Sequence, residues 1–252
     1  MVIIAAMNNF LTLNLLVLVG SLIALVGGLI ALKIKPLAKL LRQYATAFAS
    51  GILLAVSLVG LLPEAVHELE ETAFPWLLGA FLATYLFEYF VFELHHHEDD
   101  DHDHQHSSVL LVILGDTIHN FIDGATIAAA YLAGPALGIT TAISTFLHEV
   151  PHEMADFGVM LQAGWKKRKI ILVNIWSALS SFVGAWLVWL VASELAIIGQ
   201  LLAISAGIFL YLGASDFLPK HGKKISRKKA VAMMLFGVIL MLLVFRLIPH
   251  EH

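Results

Sequence analysis

The chain contains no cysteine among its 252 residues. Disulfide bonds and thiolate metal sites are therefore excluded, so His, Asp, Glu, Asn or Met would have to bind any metal ion. Charge is also scarce, because only 13% of the residues are Asp, Glu, Lys or Arg, against about 25% in ordinary soluble domains. With 59% of the residues hydrophobic, these shortages indicate an integral membrane protein and not a soluble domain.

Long apolar runs are abundant, and each of eight is long enough to cross a bilayer, which takes about 20 helical residues. The linkers between them are too short to hold a soluble domain, so we expect residues 1–252 to form a single membrane domain. The predicted spans are residues 10–32, 44–63, 74–94, 108–132, 134–163, 169–193, 195–218 and 230–248.

The basic residues are sorted by side, since fourteen of the fifteen lysines and arginines lie in the loops after spans 1, 5 and 7. With eight spans these loops share one face, and the positive-inside rule makes that face cytoplasmic. The loop after span 2 carries Glu64, Glu68, Glu70 and Glu71 and falls on the opposite face. The sequence therefore predicts an all-α polytopic membrane protein with eight transmembrane helices and both termini extracytoplasmic.

A strongly biased tract separates spans 3 and 4, where residues 95–106 hold six histidines and five carboxylates. Such a composition suits loose, exchangeable metal binding, although a solvated linker is the simpler interpretation. No fixed ligand geometry follows from a segment of this kind. We expect a His/Asp-rich cytoplasmic loop at about residues 95–107.

Ionisable side chains lie in the middle of spans 4 and 5, where lipid gives them no solvation, and such residues indicate a functional site. Positions four apart share a helix face, so each span presents a row of paired ligands, which Asp116 and Asp156 extend by one turn. Nitrogen and carboxylate ligands without sulfur suit Zn²⁺, Fe²⁺ or Mn²⁺. The candidate metal ligands are His119, Asn120, Asp123, His148, Glu149, His152 and Glu153.

Residues 148–152 also fit the His-Glu-x-x-His pattern of zinc proteases, in which the glutamate is the general base. An intramembrane metalloprotease is therefore an alternative, with Asp123-Gly124 supplying the third ligand. Three features argue against it: Asp123-Gly124 precedes the histidine motif, Pro151 strains the motif, and His119 and Asn120 would be surplus ligands. A metal sensor without transport is a further alternative, but it has no need of ligands at the membrane midplane.

At these residues the chain resembles the Zrt/Irt-like (ZIP) family of divalent metal transporters, in the subgroup whose fifth helix carries His-Glu-x-Pro-His-Glu. The resemblance rests on the six residues from His119, which are His-Asn-Phe-Ile-Asp-Gly, and on the six from His148, which are His-Glu-Val-Pro-His-Glu. Pro63-Glu64-Ala65 and residues 174–178 are in keeping with it.

The resemblance implies transport of a divalent ion into the cytoplasm through a binuclear site between helices 4 and 5, which are the predicted spans 108–132 and 134–163. Zinc is the first candidate, with iron, manganese and cadmium as others. The implied primary ligands are His119, Asp123, His148 and His152. Asn120 and Glu149 would form the second site, with His152 bridging the two and Glu153 as a ligand or proton carrier. Some family members add a carboxylate from helix 6, where this chain has only Asn174 and Ser177.

These considerations together predict that the chain is not an enzyme and has no cofactor apart from the transported Zn²⁺ or a similar ion. Its expected partners are the metal ion, the lipid bilayer and a second copy in a homodimer, with no nucleic acid. We expect a multi-pass protein of the cell (inner) membrane of a prokaryote.

Overall fold

The computed structural model describes residues 2–33, 35–93, 104–216 and 227–248. Every regular element in these ranges is helical, which confirms the predicted all-helical class. Most of the His/Asp-rich loop expected at about 95–107 lies outside the described residues, which end at Glu93 and resume at His104.

Ten α-helices follow one another along the described ranges. Two π-helical segments, Val56–Leu61 and Leu212–Asp216, continue the third and ninth of them, and a 3₁₀ turn at Glu70–Thr72 separates the fourth from the fifth. The helices are α1 (Val2–Gly20), α2 (Val26–Lys33), α3 (Lys35–Ala55), α4 (Leu62–Leu69), α5 (Ala73–Glu93), α6 (His104–Ala133), α7 (Pro135–Gln162), α8 (Lys167–Leu195), α9 (Ile198–Tyr211) and α10 (Arg227–Leu247).

Five helical stretches within the described ranges are long and apolar enough to cross a membrane. The first has 47 residues, which at 1.5 Å per residue would extend about 70 Å, more than twice the hydrocarbon thickness. It is interrupted at Glu70, whose φ is +53°. The stretches are Tyr44–Phe90, Val109–Ala133, Lys167–Ala192, Ile198–Ser215 and Arg227–Leu247.

Two of the eight predicted spans are absent from those five for identifiable reasons. The helix at the start of the chain ends at turns at residues 21–25, and its apolar stretch Met7–Gly20 is too short to count as a span. Helix α7 has 28 residues, but its second half carries Glu149, Glu153 and Asp156. The same side chains that suggest a functional site thus make α7 too polar to qualify as a span by composition.

Helix α6 packs backbone against backbone on α8. A Cβ atom added at Gly124 of α6 would meet the carbonyl of Ser181, and one added at Gly184 of α8 would meet the carbonyl of Phe121. Small residues at such positions allow membrane helices to approach closely, since lipid supplies no hydrophobic force between them. The two glycines therefore fix the position of α6 relative to α8.

Helix α7 begins directly after α6 and packs against it. Gly134 is the single extended residue between the two helices, and Pro135 occupies the first turn of α7, where no backbone donor is lost. On its other side α7 meets α2, because Gly27 lies against the backbone of Val150. Helix α7 continues through Pro151 to Gln162. Its polar residues His148, Glu149 and Glu153 are buried and therefore face the core of the bundle.

Candidate metal centre

The rows of candidate ligands on α6 and α7 face each other inside the bundle. Six of the seven side chains are buried, since their residues are at most 9% exposed. The exception is His152, whose side chain is 24% exposed. The ring centroid of His119 lies 5.4 Å from that of His148 and 4.9 Å from that of His152. The structure therefore brings the two sequence motifs into contact.

Four of these residues form a compact set, which we name the central set: His119, Asp123, His148 and Glu149. Each offers one ligand atom, and these atoms all lie within 4.8 Å of one another. The Nε2 atom of His119 is 2.9 Å from Oε1 of Glu149 and 3.9 Å from Oδ2 of Asp123. The Nε2 atom of His148 is 3.1 Å from Oδ2 of Asp123 and 3.9 Å from Oε1 of Glu149.

These separations suit a bound divalent ion. Nitrogen and oxygen ligands lie about 2.0–2.2 Å from zinc, so two of them in a tetrahedral shell are about 3.3–3.6 Å apart. The four distances in the central set, from 2.9 to 3.9 Å, bracket that spacing. Small side-chain adjustments would bring all four atoms to coordination distance.

The hydrogen bonding of His148 leaves one ring nitrogen available. Its Nδ1 lies 2.9 Å from the carbonyl oxygen of Ser144, which only accepts, so this bond assigns the proton to Nδ1. The Nε2 lone pair then points at Oδ2 of Asp123, which offers only lone pairs when ionised. A proton on Nε2 or a metal cation between the two atoms removes this conflict. The His148–carbonyl contact is also the type that orients metal-ligating histidines.

Several buried oxygen atoms of the cluster have no hydrogen-bond partner among the described residues. They include Oδ1 of Asp123, Oε2 of Glu149 and Oε2 of Glu153. Asn120 is similar, because its amide nitrogen donates to Oδ1 of Asp116 at 2.9 Å while its own oxygen has no partner. Buried polar atoms are normally paired, since an unpaired one loses its hydration without compensation. A metal cation needs several atoms that offer it lone pairs, and this excess of buried hydrogen-bond acceptors supplies them.

His152 lies at the edge of the central set. Its Nδ1 is 3.5 Å from Oε1 of Glu149 and 3.7 Å from Oδ1 of Asp116. The resemblance implied a primary site containing His152 and a second site containing Glu149. In the structure all three histidines lie around Glu149, whose Oε1 is within 3.9 Å of a nitrogen of each. Glu149 therefore adjoins candidate ligands of both implied sites.

Two further acidic residues join the cluster. Asp116, His152 and Asp156 form one group with ligand atoms within 4.8 Å of one another, and Asp116, Glu149 and Glu153 form another. The sequence showed both aspartates as extensions of the ligand rows but did not predict them as ligands. Their spacing, three residues before His119 and four after His152, was the signal that identifies them.

Helix α8 adds no carboxylate to these groups. The amide of Asn174 donates to the carbonyl of Ile170 on its own helix at 2.7 Å, and Ser177 donates to the hydroxyl of Thr117 at 3.2 Å. A separate group, formed by Glu64, His67 and Glu68 on α4, is largely exposed. Exposed charged groups of this kind are ordinarily solvated.

Comparison with known proteins finds zinc transporters. A family model described as "ZIP Zinc transporter" matches residues 10–110 and 93–244. The chain is similar to mouse Zinc transporter ZIP10, with 44% identity over 116 residues, which are 44% of this chain and 14% of that protein. Its identity to human Zinc transporter ZIP4 is 38% over 109 residues, or 43% of this chain and 17% of that protein. The chain thus matches a small part of each relative's length. Because these similar proteins are described as zinc transporters, the comparisons do not support the metalloprotease alternative.

Proposed function

The chain belongs to the ZIP zinc transporter family, and from that premise we propose that it moves divalent metal ions, zinc in particular, across a membrane into the cytoplasm. The ion would pass through the central set between α6 and α7. One observation carries this proposal: four nitrogen and oxygen ligand atoms from two helices converge within 4.8 Å at a buried position. A buried, sulfur-free site of this kind selects a first-row divalent cation.

The proposal places a second ion beside the first. The implied ligands of the second ion are Asn120, Glu149 and His152, with Glu153 close by. Its support is that Asn120 and Glu149 each keep one buried oxygen without a hydrogen-bond partner among the described residues. A carboxylate that touches two ions can pass one of them along by exchanging oxygens. We therefore assign the bridging role to Glu149 and keep His152 as a ligand on the far side.

The proposed topology has eight crossings and extracytoplasmic termini. Helices α1 and α2 together form the first crossing, and the interruption at Glu70 divides the stretch Tyr44–Phe90 into the second and third. The remaining crossings are α6 to α10. Exposed basic residues support this path, since Lys33, Lys166–Lys169 and Arg227–Lys229 fall on one face if the count is eight. That face would be cytoplasmic.

Uptake by purified protein in proteoliposomes tests the transport proposal. Zinc entry would be followed with a zinc-sensitive dye trapped inside the vesicles. Glu149→Gln keeps the shape of the side chain but removes its charge from the centre of the three histidines. Because even residues that only orient a ligand change metal affinity by about 10–100-fold, we expect the initial rate to fall at least tenfold.

The matched control is Glu71→Gln, which makes the same chemical change at an exposed residue of the 3₁₀ turn. Its uptake should stay within twofold of the wild-type rate. Equal rates for the Glu149→Gln variant and the control would reject the central set as the transport site. Competition by Fe²⁺, Mn²⁺ and Cd²⁺ in the same vesicles would rank the metals, and we expect zinc to be preferred.

The membrane and the assembly are part of the proposal as well. We propose a multi-pass protein of the cell (inner) membrane of a prokaryote that acts as a homodimer. The exposed apolar side chains described for α5, α8 and α10 support a lipid-facing position for these helices. The homodimer remains a prediction from the family resemblance.

A further inference from the structure

The surroundings of His152 hold two aspartates that the transport proposal does not use. Asp116 lies on α6 and Asp156 on α7, and their residues are only 3% and 7% exposed. Together with His152 they offer three ligand atoms within 4.8 Å of one another. Within the set, Nδ1 of His152 lies 3.7 Å from Oδ1 of Asp116. We name these three residues the distal set.

The distal set has more negative charge than the protein around it can balance. Oδ2 of Asp156 and Oε2 of the neighbouring Glu153 are buried and have no hydrogen-bond partner among the described residues. Residues 109–162, which hold both helix segments, contain no lysine or arginine. A single imidazolium, that of His152, cannot neutralise the three carboxylates of Asp116, Glu153 and Asp156. A buried carboxylate without a counter-charge is strongly unfavourable. Bound protons can remove this charge in the metal-free protein, and a divalent cation can replace those protons as the balancing charge.

The distal set is connected to the central set through shared residues. Glu149 belongs both to the central set and to the group of Asp116, Glu149 and Glu153, and Asp116 belongs both to that group and to the distal set. An ion could therefore exchange ligands one at a time, without a step in which it has lost all its protein ligands. Such stepwise exchange is favourable because dehydrated cations are costly to leave uncoordinated.

The displacement between the two sets has a direction. Asp116 lies three residues before His119 of the central set, and Asp156 lies seven residues after Glu149 of the central set, which correspond to about 4.5 and about 10.5 Å along their helices. Because α6 and α7 run in opposite senses, both displacements lead toward the end of the bundle where α7 ends at Gln162 and α8 begins at Lys167. This is the face that the proposed topology makes cytoplasmic.

We propose that Asp116, His152 and Asp156 form a further binding position for the transported divalent cation, on the cytoplasmic side of the central set. The inference rests on the proposed function and adds a defined release step to it. The ion leaves Glu149 for Asp116 and His152 and is then held by Asp156 at the inner end of the path. Asp116 and Asp156 are thus ligands of the ion in transit.

A single introduced thiol tests this position directly. The chain has no cysteine, so Asp156→Cys creates the sole thiol, and Cd²⁺ bound to a thiolate gives an ultraviolet charge-transfer absorption. We expect this absorption when purified Asp156→Cys protein is titrated with Cd²⁺, and we expect Asp116→Asn in the same chain to weaken it. Glu71→Cys, at an exposed position, is the matched control and should give none. Absence of the absorption in a variant that still binds Cd²⁺ by equilibrium dialysis would overturn the proposal.

Counting bound zinc gives a second, independent readout. In equilibrium dialysis we expect Asp156→Asn to bind one ion fewer per chain than the wild type, with the affinity of the remaining ions changed less than threefold. An unchanged number of ions in this variant would overturn the distal set. A wild-type protein that binds these ions but takes up none into vesicles would overturn the proposed function while leaving the binding position in place.

Discussion

At the scale of single residues, the centre depends on carboxylates that are buried beside imidazoles. Asp116, Asp123, Glu149, Glu153 and Asp156 are all at most 7% exposed. The ionised forms of these groups would repel one another in the metal-free protein, and the imidazoles of His119, His148 and His152 offset part of that charge. Such an arrangement is unfavourable for stability and is explained by a function in cation binding.

Glu153 gives a prediction at this scale. Its carboxylate is buried beside Asp116 and Glu149, and its Oε2 has no hydrogen-bond partner among the described residues. Glu153→Gln keeps the shape of the side chain but removes a buried acid whose ionised form the fold disfavours, so we expect the metal-free protein to be stabilised by about 1 kcal/mol at neutral pH. Thermal unfolding in detergent with a chelator present measures this. Glu71→Gln should leave the midpoint unchanged, and a lower midpoint for Glu153→Gln would contradict the repulsion argument.

At the scale of helices, α6 holds its ligands in place by packing closely on α8 and α7. Gly124 is one residue after Asp123, so the closest contact of α6 with α8 is adjacent to a candidate ligand. The π-helical segments are held in a different way. Ser50 donates a hydrogen bond to the carbonyl of Gly213 at 2.6 Å, and Ser57 donates to the carbonyl of Ala206 at 2.7 Å. These serines satisfy carbonyl groups near irregular backbone, where lipid offers no hydrogen bonds.

Two glycines on the same helix allow a matched test of this packing. A Cβ at Gly124 would meet the Ser181 carbonyl, whereas a Cβ at Gly115 would meet no atom within 4 Å. Gly124→Ala should therefore destabilise the protein by about 1–3 kcal/mol through overpacking. Gly115→Ala should be neutral or stabilising by up to about 1 kcal/mol, because alanine favours the helix. Equal unfolding midpoints for the two variants would show that the contact between α6 and α8 is not tight.

At the scale of the whole molecule, polar groups are inside and large apolar groups are outside. Trp176 of α8 is 72% exposed and Leu247 of α10 is 80% exposed, while Asp123 and His148 are completely buried. Water would not stabilise this distribution, but a bilayer does, since its hydrocarbon solvates apolar side chains and excludes charged ones. The buried polar cluster therefore lies where the proposed transport path would cross the membrane.

Thiol labelling tests the eight-span arrangement, because the chain has no cysteine of its own. We expect Glu71→Cys and Lys166→Cys, both at exposed positions, to react with a membrane-impermeant maleimide from opposite sides of a vesicle. The reason is that three crossings separate them in the proposed topology. Labelling of both from the same side would refute that topology, and a residue 71 protected from both sides would mean that Tyr44–Phe90 does not divide there.

Metal binding should also stabilise the whole molecule. The central set exists only in the folded protein, so zinc at about 100 times its dissociation constant should add about 2.7 kcal/mol to the free energy of unfolding. We expect the thermal midpoint to rise with zinc and to fall back after chelation. His119→Ala should make the rise smaller by the contribution of the central set. A rise of the same size in that variant would mean that zinc acts at another site.

The amino-acid sequence by itself determined the helical class and both rows of ligands. Apolar runs and the four-residue spacing of polar side chains are local properties, because an isolated helix already puts positions four apart on one face. The number of spans does not follow from length and composition alone. The polar residues of α7 and the turns at residues 21–25 hide two of the eight predicted spans from a count by length and composition, and the continuous stretch Tyr44–Phe90 merges two others into one.

Only the tertiary structure decided which atoms of the two rows meet. It placed Glu149 among His119, Asp123 and His148, and it brought Asp116 and Asp156 to His152. The rotation and depth of α6 relative to α7 determine these groupings, and both depend on contacts such as that of Gly124 with Ser181 on a third helix. Side chains far apart in sequence meet only when packing fixes the helices, and spacing along one helix carries no information about that.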